Sequence, residues 1–176
     1  MILGAILAGG KSSRFGSDKA LAELDGRTLI ARSVDAMSGF CDDVIVVGRE
    51  AAPVPTISDW PHADMGPLGG IAAALRHAEK EGYASVLTCG VDSLALPRSM
   101  LTDLSPAPAY LENQPVIGHW NSSDASTVSA ILQSDGRHSM IAFARAVGAR
   151  PVQCDDAPAN INTPADLAAM EQANGL

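Results

Sequence analysis

Three stretches of this chain read as strands buried on both faces, and the segments between them read as helix. Residues 1–7, 44–47 (Val-Ile-Val-Val) and 85–89 (Ser-Val-Leu-Thr-Cys) are short, nearly continuous apolar runs. Such runs suit the interior strands of a parallel sheet, where neither face meets water. Residues 68–81 put Leu68, Ile71, Ala72, Leu75 and Ala78 on one helical face, with Arg76, Glu79 and Lys80 towards solvent. Alternation of this kind predicts an α/β protein with a mainly parallel sheet flanked by helices, in one domain spanning residues 1–176. The chain is 47% hydrophobic but only 4% aromatic, so Ala, Val, Leu and Ile must fill the core.

The remaining elements follow from pattern and punctuation. Residues 19–37 have helical character with a short turn at Asp25-Gly26, and Thr56-Ile57 is a short extended piece in a proline-rich loop. A helix start is expected over 97–104, strands over 114–120 and 151–154, and helices over 126–132, 140–147 and 164–173. Thr163 is placed to cap the last helix. Residues 105–115 are proline-rich and are assigned no element.

In parallel sheets ligands bind beyond the carboxyl ends of the strands. The first such end carries Gly9-Gly10-Lys11-Ser12-Ser13-Arg14-Phe15-Gly16-Ser17-Asp18-Lys19. Two glycines let the backbone turn sharply against a ligand, while Lys11, Arg14 and Lys19 supply positive charge. Such a loop suits a polyphosphate. It is neither a Walker A loop, because Gly16 is followed by Ser-Asp, nor the Gly-x-Gly-x-x-Gly dinucleotide turn. Gly48, Asp59 and Asp92 follow other strand or extended segments, so all are expected on one edge.

Other function classes are disfavoured. Formal net charge is −8, the wrong sign for general nucleic-acid binding. Cys41, Cys89 and Cys154 form no Cys-x-x-Cys, and the four histidines lack metal-ligand spacing. The first eight residues are too short for a signal segment, and no apolar run could span a bilayer, so a cytoplasmic location with no membrane partner is expected.

The loop Leu7-Ala8-Gly9-Gly10-x-Ser-x-Arg14-Phe-Gly16-x-Asp18-Lys19 resembles the signature of the molybdenum cofactor guanylyltransferases, the MobA family of nucleotidyltransferases. The likeness extends through Asp59 with Gly66-Pro67-Leu68-Gly69-Gly70-Ile71, Val91-Asp92 with Leu96-Pro97, Gln114-Pro115-Val116, and Asn160-Ile161-Asn162-Thr163-Pro164. It covers nearly the whole chain. The resemblance implies a three-layer Rossmann-like nucleotidyltransferase fold. It implies transfer of GMP from GTP to the terminal phosphate of molybdopterin, with pyrophosphate released and Mg²⁺ as cofactor. It also implies possible transient contact with proteins that deliver molybdopterin or receive the product.

By the same resemblance Asp92 holds Mg²⁺, Lys19 contacts the phosphate chain, and Arg14 stabilises the departing pyrophosphate. Leu7, Ala8, Gly9 and Gly10 line the nucleotide pocket. Asp59 reads guanine, since one carboxylate accepts from both the N1–H and the N2 amine; Asp64, two residues before Gly66, is a competitor for that role. Asn160 and Asn162 belong either to the acceptor side or to ordinary turn chemistry. Gln114, Pro115 and His119 could shape the acceptor side as well. Two positions depart from the family pattern. Ser93-Leu94-Ala95 follow Asp92 where a small residue, Pro and an aromatic are usual, and Val47-Gly48-Arg49 stands where many members have Asn. A CTP donor, a sugar-phosphate acceptor and a nucleotide-binding homologue without catalysis stay open as alternatives.

Overall fold

The computed structural model describes residues 1–10, 16–155, 158 and 160–174. In chain order, β1 (Ile2–Leu7) leads to a 3₁₀ turn (Lys19–Leu21), a two-stranded ribbon of β2 (Glu23–Leu24) and β3 (Arg27–Thr28), and α1 (Leu29–Ser38). Next come β4 (Asp43–Val47), β5 (Thr56–Ile57), α2 (Gly66–Glu81) and β6 (Ser85–Gly90). The second half holds α3 (Met100–Asp103), β7 (Ala109–Leu111), β8 (Gln114–Asn121), α4 (Ala125–Gln133), α5 (Met140–Ala146), β9 (Arg150–Val152) and α6 (Pro164–Asn174).

Seven strands form one sheet in the order β5-β4-β1-β6-β8-β7-β9. Only β8 runs against the rest: it pairs antiparallel with β6 and β7, and all other pairings are parallel. The pleat sends successive residues to opposite faces. Leu3, Ala5, Ile45, Val47 and Val86 therefore meet α2, α4 and α5, while Ile6, Val44, Val46, Leu87 and Cys89 meet α1 and α3. Two buried faces explain the unbroken apolar runs, and the result is the expected three-layer, mainly parallel α/β architecture.

The chain leaves β1 towards β4 on one side and returns through α2 to β6 on the other. Loops thus diverge at the end of β1, where open α/β sheets form their ligand crevice.

Three expectations need correction. Residues 19–28 are not α-helical: Lys19–Leu21 form one 3₁₀ turn and β2 and β3 follow. Asp25 and Gly26 both take positive φ (50° and 75°), as a two-residue hairpin loop between β2 and β3 requires, and helix begins only at Leu29 under a Thr28 cap. The stretch 105–115 contains β7, which fills the sheet between β8 and β9. Of residues 97–104 only Met100–Asp103 form a helix, a single turn. Thr163 does cap α6: its Oγ1 accepts from the Asp166 N–H at 3.2 Å.

Trp120 anchors the core between the sheet and α5. It is fully buried, its ring centroid lies 4.9 Å from that of Phe143, and its Nε1–H donates to Thr88 Oγ1 at 3.0 Å. The Thr88 hydroxyl in turn donates to the Val116 carbonyl at 2.7 Å. Trp120→Ala would leave a large void and remove the N–H that the Thr88 hydroxyl accepts from, with an expected cost of about 3–5 kcal/mol in urea unfolding. A loss below about 1 kcal/mol, the size of a typical surface change, would contradict this placement.

Candidate active site

The site is assembled where β1, β4 and β6 end. After Leu7 the chain turns through Gly9 and Gly10, and the Ala8 N–H donates to the Val47 carbonyl at 2.9 Å, keeping the turn tight against β4. Gly48 takes φ +86°, and a Cβ placed there would stand 2.5 Å from Gly9 Cα. A side chain at residue 48 would therefore collide with the glycine turn. This is the physical content of the departure at Val47-Gly48-Arg49: backbone packs on backbone.

Asp59 lies against the same turn. A Cβ on Gly9 would come within 2.8 Å of Asp59 Oδ2, and one on Gly48 within 3.3 Å of Oδ1. A cavity of about 180 Å³ opens beside it, bordered by Leu7, Gly9, Asp59, Asp64, Pro67 and Val116. Burial first, and the nearby Asp64 charge second, push the Asp59 carboxyl above its ordinary range. Both aspartates face this cavity, so geometry keeps both as candidate base readers.

On the other flank Lys19 Nζ donates to Asp92 Oδ2 at 3.1 Å, with side-chain exposures of 13% and 28%. Residues 73 apart in sequence are thus joined across the ends of β1 and β6. Lys19 opens the 3₁₀ turn, and Asp18 caps that turn by accepting from the Ala20 N–H at 3.2 Å. The Asp166 carboxyl is held below the usual range, chiefly by the Asn162 N–H and lastly by the Lys19 charge.

Next to Asp92 a smaller cavity of about 160 Å³ is bordered by Ser93, Asn113, Gln114, Val116 and Asn160. A β-bridge between Ser93 and Asn160 brings the C-terminal segment here. Leu24, Leu29 and Ile161, with Leu94, Leu167 and Met170, form a separate apolar cluster that fastens α6 to the β2–β3 ribbon. Gln114 Nε2 donates to the Pro158 carbonyl at 2.7 Å. Asn162 contributes its N–H to Asp166. His119 is not at this cavity: it is buried, bonded to Ser85 Oγ at 2.8 Å, and its pKa is lowered by that burial. Arg14, with Lys11, Ser12 and Ser13, lies outside the described residues.

A third cavity, of about 580 Å³, lies between the glycine turn and the end of β4. Its walls include Arg49 and Asp18, joined by a two-point ion pair: Arg49 Nη1 to Asp18 Oδ1 at 2.8 Å and Nη2 to Oδ2 at 2.7 Å. That pair depresses the Asp18 carboxyl. Asp18 stands in the loop signature and Arg49 in the departure after Val47, but neither was assigned a role, because their contact spans 31 positions and follows no periodic pattern. Burial pushes the Cys41 thiol up to about 12 and raises that of Cys89 as well, the opposite of what activates a thiolate.

Among the described residues no three His, Cys, Asp or Glu side chains converge on a point. Asp92 stands alone at its strand end, partly exposed, with one oxygen on Lys19. A lone carboxylate beside a phosphate-sized space does not make a protein cage. It fits Mg²⁺, which takes one or two carboxylates and completes its shell with water and phosphate oxygens.

The glycine turn therefore sits at the sheet's switch point, with the Lys19–Asp92 pair beside it. The chain belongs to the MobA-like NTP transferase domain family, which it matches over residues 4–157, and it is a nucleotidyltransferase. A molybdenum cofactor guanylyltransferase of Acidiphilium cryptum is 33% identical, covering 94% of this chain and 92% of that relative. One of Rhodobacter capsulatus is also 33% identical, covering 97% and 95%. The fold is shared with the molybdopterin-guanine dinucleotide biosynthesis protein A of Archaeoglobus fulgidus, with a TM-score of 0.78 at 20% identity over 99% of both chains. It is also shared with the 4-diphosphocytidyl-2C-methyl-D-erythritol synthase of Anaerococcus prevotii, with a TM-score of 0.69 at 12% identity over 99% of this chain and 96% of that one. Among the described residues no helix is long and apolar enough to cross a membrane.

Proposed function

We propose that this protein transfers GMP from GTP to the terminal phosphate of molybdopterin, in molybdenum cofactor biosynthesis. An acceptor phosphate oxygen bonds to the α-phosphorus of GTP. The bond from that phosphorus to the oxygen bridging to the β-phosphate breaks, and pyrophosphate leaves. No covalent enzyme intermediate is needed, so the protein's task is positioning and charge stabilisation.

The observation that carries the donor assignment is the Asp59 carboxylate, held against the Gly9 turn at the edge of a largely apolar cavity. An ionised carboxylate there accepts from both N1–H and the N2 amine of guanine, which adenine and cytosine cannot match. Leu7, Ala8, Gly9 and Gly10 supply the backbone wall. Lys19 and Arg14 neutralise the triphosphate. Asp92 would hold Mg²⁺, which when bound supplies further neutralisation of phosphate charge. The names of the two relatives above support the acceptor. Asn113 and Asn160 give its cavity neutral amides suited to a pterin's own amide and amino groups.

Asp59→Asn tests the donor side with two readouts of opposite sign. Wild type is expected to bind GTP about 10- to 100-fold tighter than inosine triphosphate, which lacks the N2 amine. Asp59→Asn should erase that preference in a direct titration. It should also raise Tm, because it removes a charge disfavoured by burial and by Asp64. An unchanged preference in Asp59→Asn, with loss in Asp64→Asn, would transfer the role to Asp64.

A further inference from the structure

The consecutive residues Asp18 and Lys19, which follow the glycine turn in sequence, are each tied to a different flank. Lys19 reaches towards β6 and pairs with Asp92; Asp18 reaches the opposite way, to Arg49 beyond the end of β4. Because the sheet order is β4-β1-β6, these ties leave β1 on its two sides. The Asp18 carboxylate has a second task, capping the turn that opens with Lys19. What fixes Asp18 therefore also fixes the direction in which Lys19 emerges.

We propose that Arg49 is a positioning residue for Lys19: it grips Asp18 with both terminal guanidinium nitrogens and thereby sets the turn that presents the lysine to nucleotide phosphates. Three features separate this pair from an ordinary surface ion pair, which contributes little. Its geometry is two-pronged, the arrangement that adds direction to strength. Arg49 is only 18% exposed. Its starting point is fixed, because Gly48 is pressed onto Gly9 and cannot shift without moving the turn. The pair also walls the 580 Å³ cavity, which shares Gly9 and Gly10 with the cavity beside Asp59. The inference requires a nucleoside triphosphate in this crevice but is indifferent to its base.

The test is GTP affinity by direct titration, with CTP titrated in parallel, for Arg49→Ala, Asp18→Ala, the double variant, and Arg49→Ala in a Lys19→Ala background. Each single change is expected to weaken binding about tenfold, the size of one charge-assisted contact. The double variant should lose no more than either single change, because both break one link. Arg49→Ala should cost nothing further once Lys19 is gone. Arg49→Lys should not restore affinity, because an ammonium cannot make the two-pronged contact. A direct contact between Arg49 and the nucleotide would show the opposite pattern: the loss would persist without Lys19, and Asp18→Ala would not weaken binding. That pattern overturns the proposal, as does a change in Tm with affinity unmoved, or full rescue by Lys. Failure of wild type to bind GTP while binding CTP would overturn the guanine assignment and leave this cycle readable on CTP.

Discussion

Asp92→Ala is expected to lower pyrophosphate release by at least about 10³-fold while the protein stays folded. A metal on a transferring phosphate supplies several kcal/mol of charge stabilisation, and each 1.4 kcal/mol is a factor of ten. Among the described residues no group of three or more metal-binding side chains forms that could hold the ion without Asp92. The fold should tolerate the change because Asp92 lies in a loop beyond β6 and is 28% exposed. Steady-state release at saturating GTP, alongside a thermal melt, separates the two effects. A loss under tenfold would remove Asp92 from the role of metal ligand.

Lys19→Ala is expected to cost about 10²- to 10³-fold in turnover, as for removal of one fixed donor from developing charge. Lys19→Arg should recover only part of this, because a planar fork does not replace a compact ammonium facing one carboxylate oxygen. The two alanine variants should differ in sign elsewhere. Lys19 neutralises Asp92 at 3.1 Å, so its removal exposes the carboxylate, and Mn²⁺ affinity without nucleotide should rise. Asp92→Ala should lower that affinity. Titration of Mn²⁺ by electron paramagnetic resonance reads both. If Lys19→Ala weakens Mn²⁺ binding, the lysine and the metal do not compete for Asp92.

The strands that carry this site were readable because each is buried on two faces: nothing but a continuous apolar run fits at Val44-Ile45-Val46-Val47 between α1 and α2. The carboxyl-edge rule grouped Gly9, Lys19, Asp59 and Asp92 on one edge; the structure sets Gly9 beside Asp59 and Lys19 beside Asp92. Helical spacing misled at residues 19–28. The turn read at Asp25-Gly26 is present, but it joins two short strands, β2 and β3, rather than two helical stretches. β7 escaped because its three residues sit among prolines and draw their stability from neighbours on both sides. The contact between Arg49 and Asp18 was illegible for a different reason. Their partnership depends on how far the end of β4 leans onto the glycine turn, a tertiary distance with no local trace. His119 seemed a polar handle near the acceptor strand, but the pleat turns it inward to Ser85.

One measurement bears on donor, acceptor and chemistry together: pyrophosphate release by the wild-type protein with Mg²⁺ and molybdopterin, comparing GTP, CTP and ATP. GTP-selective release that requires molybdopterin and disappears in Asp92→Ala is the expected result. Release with CTP in preference to GTP, or none with any nucleotide from a folded protein that binds GTP, would contradict guanylyl transfer to molybdopterin.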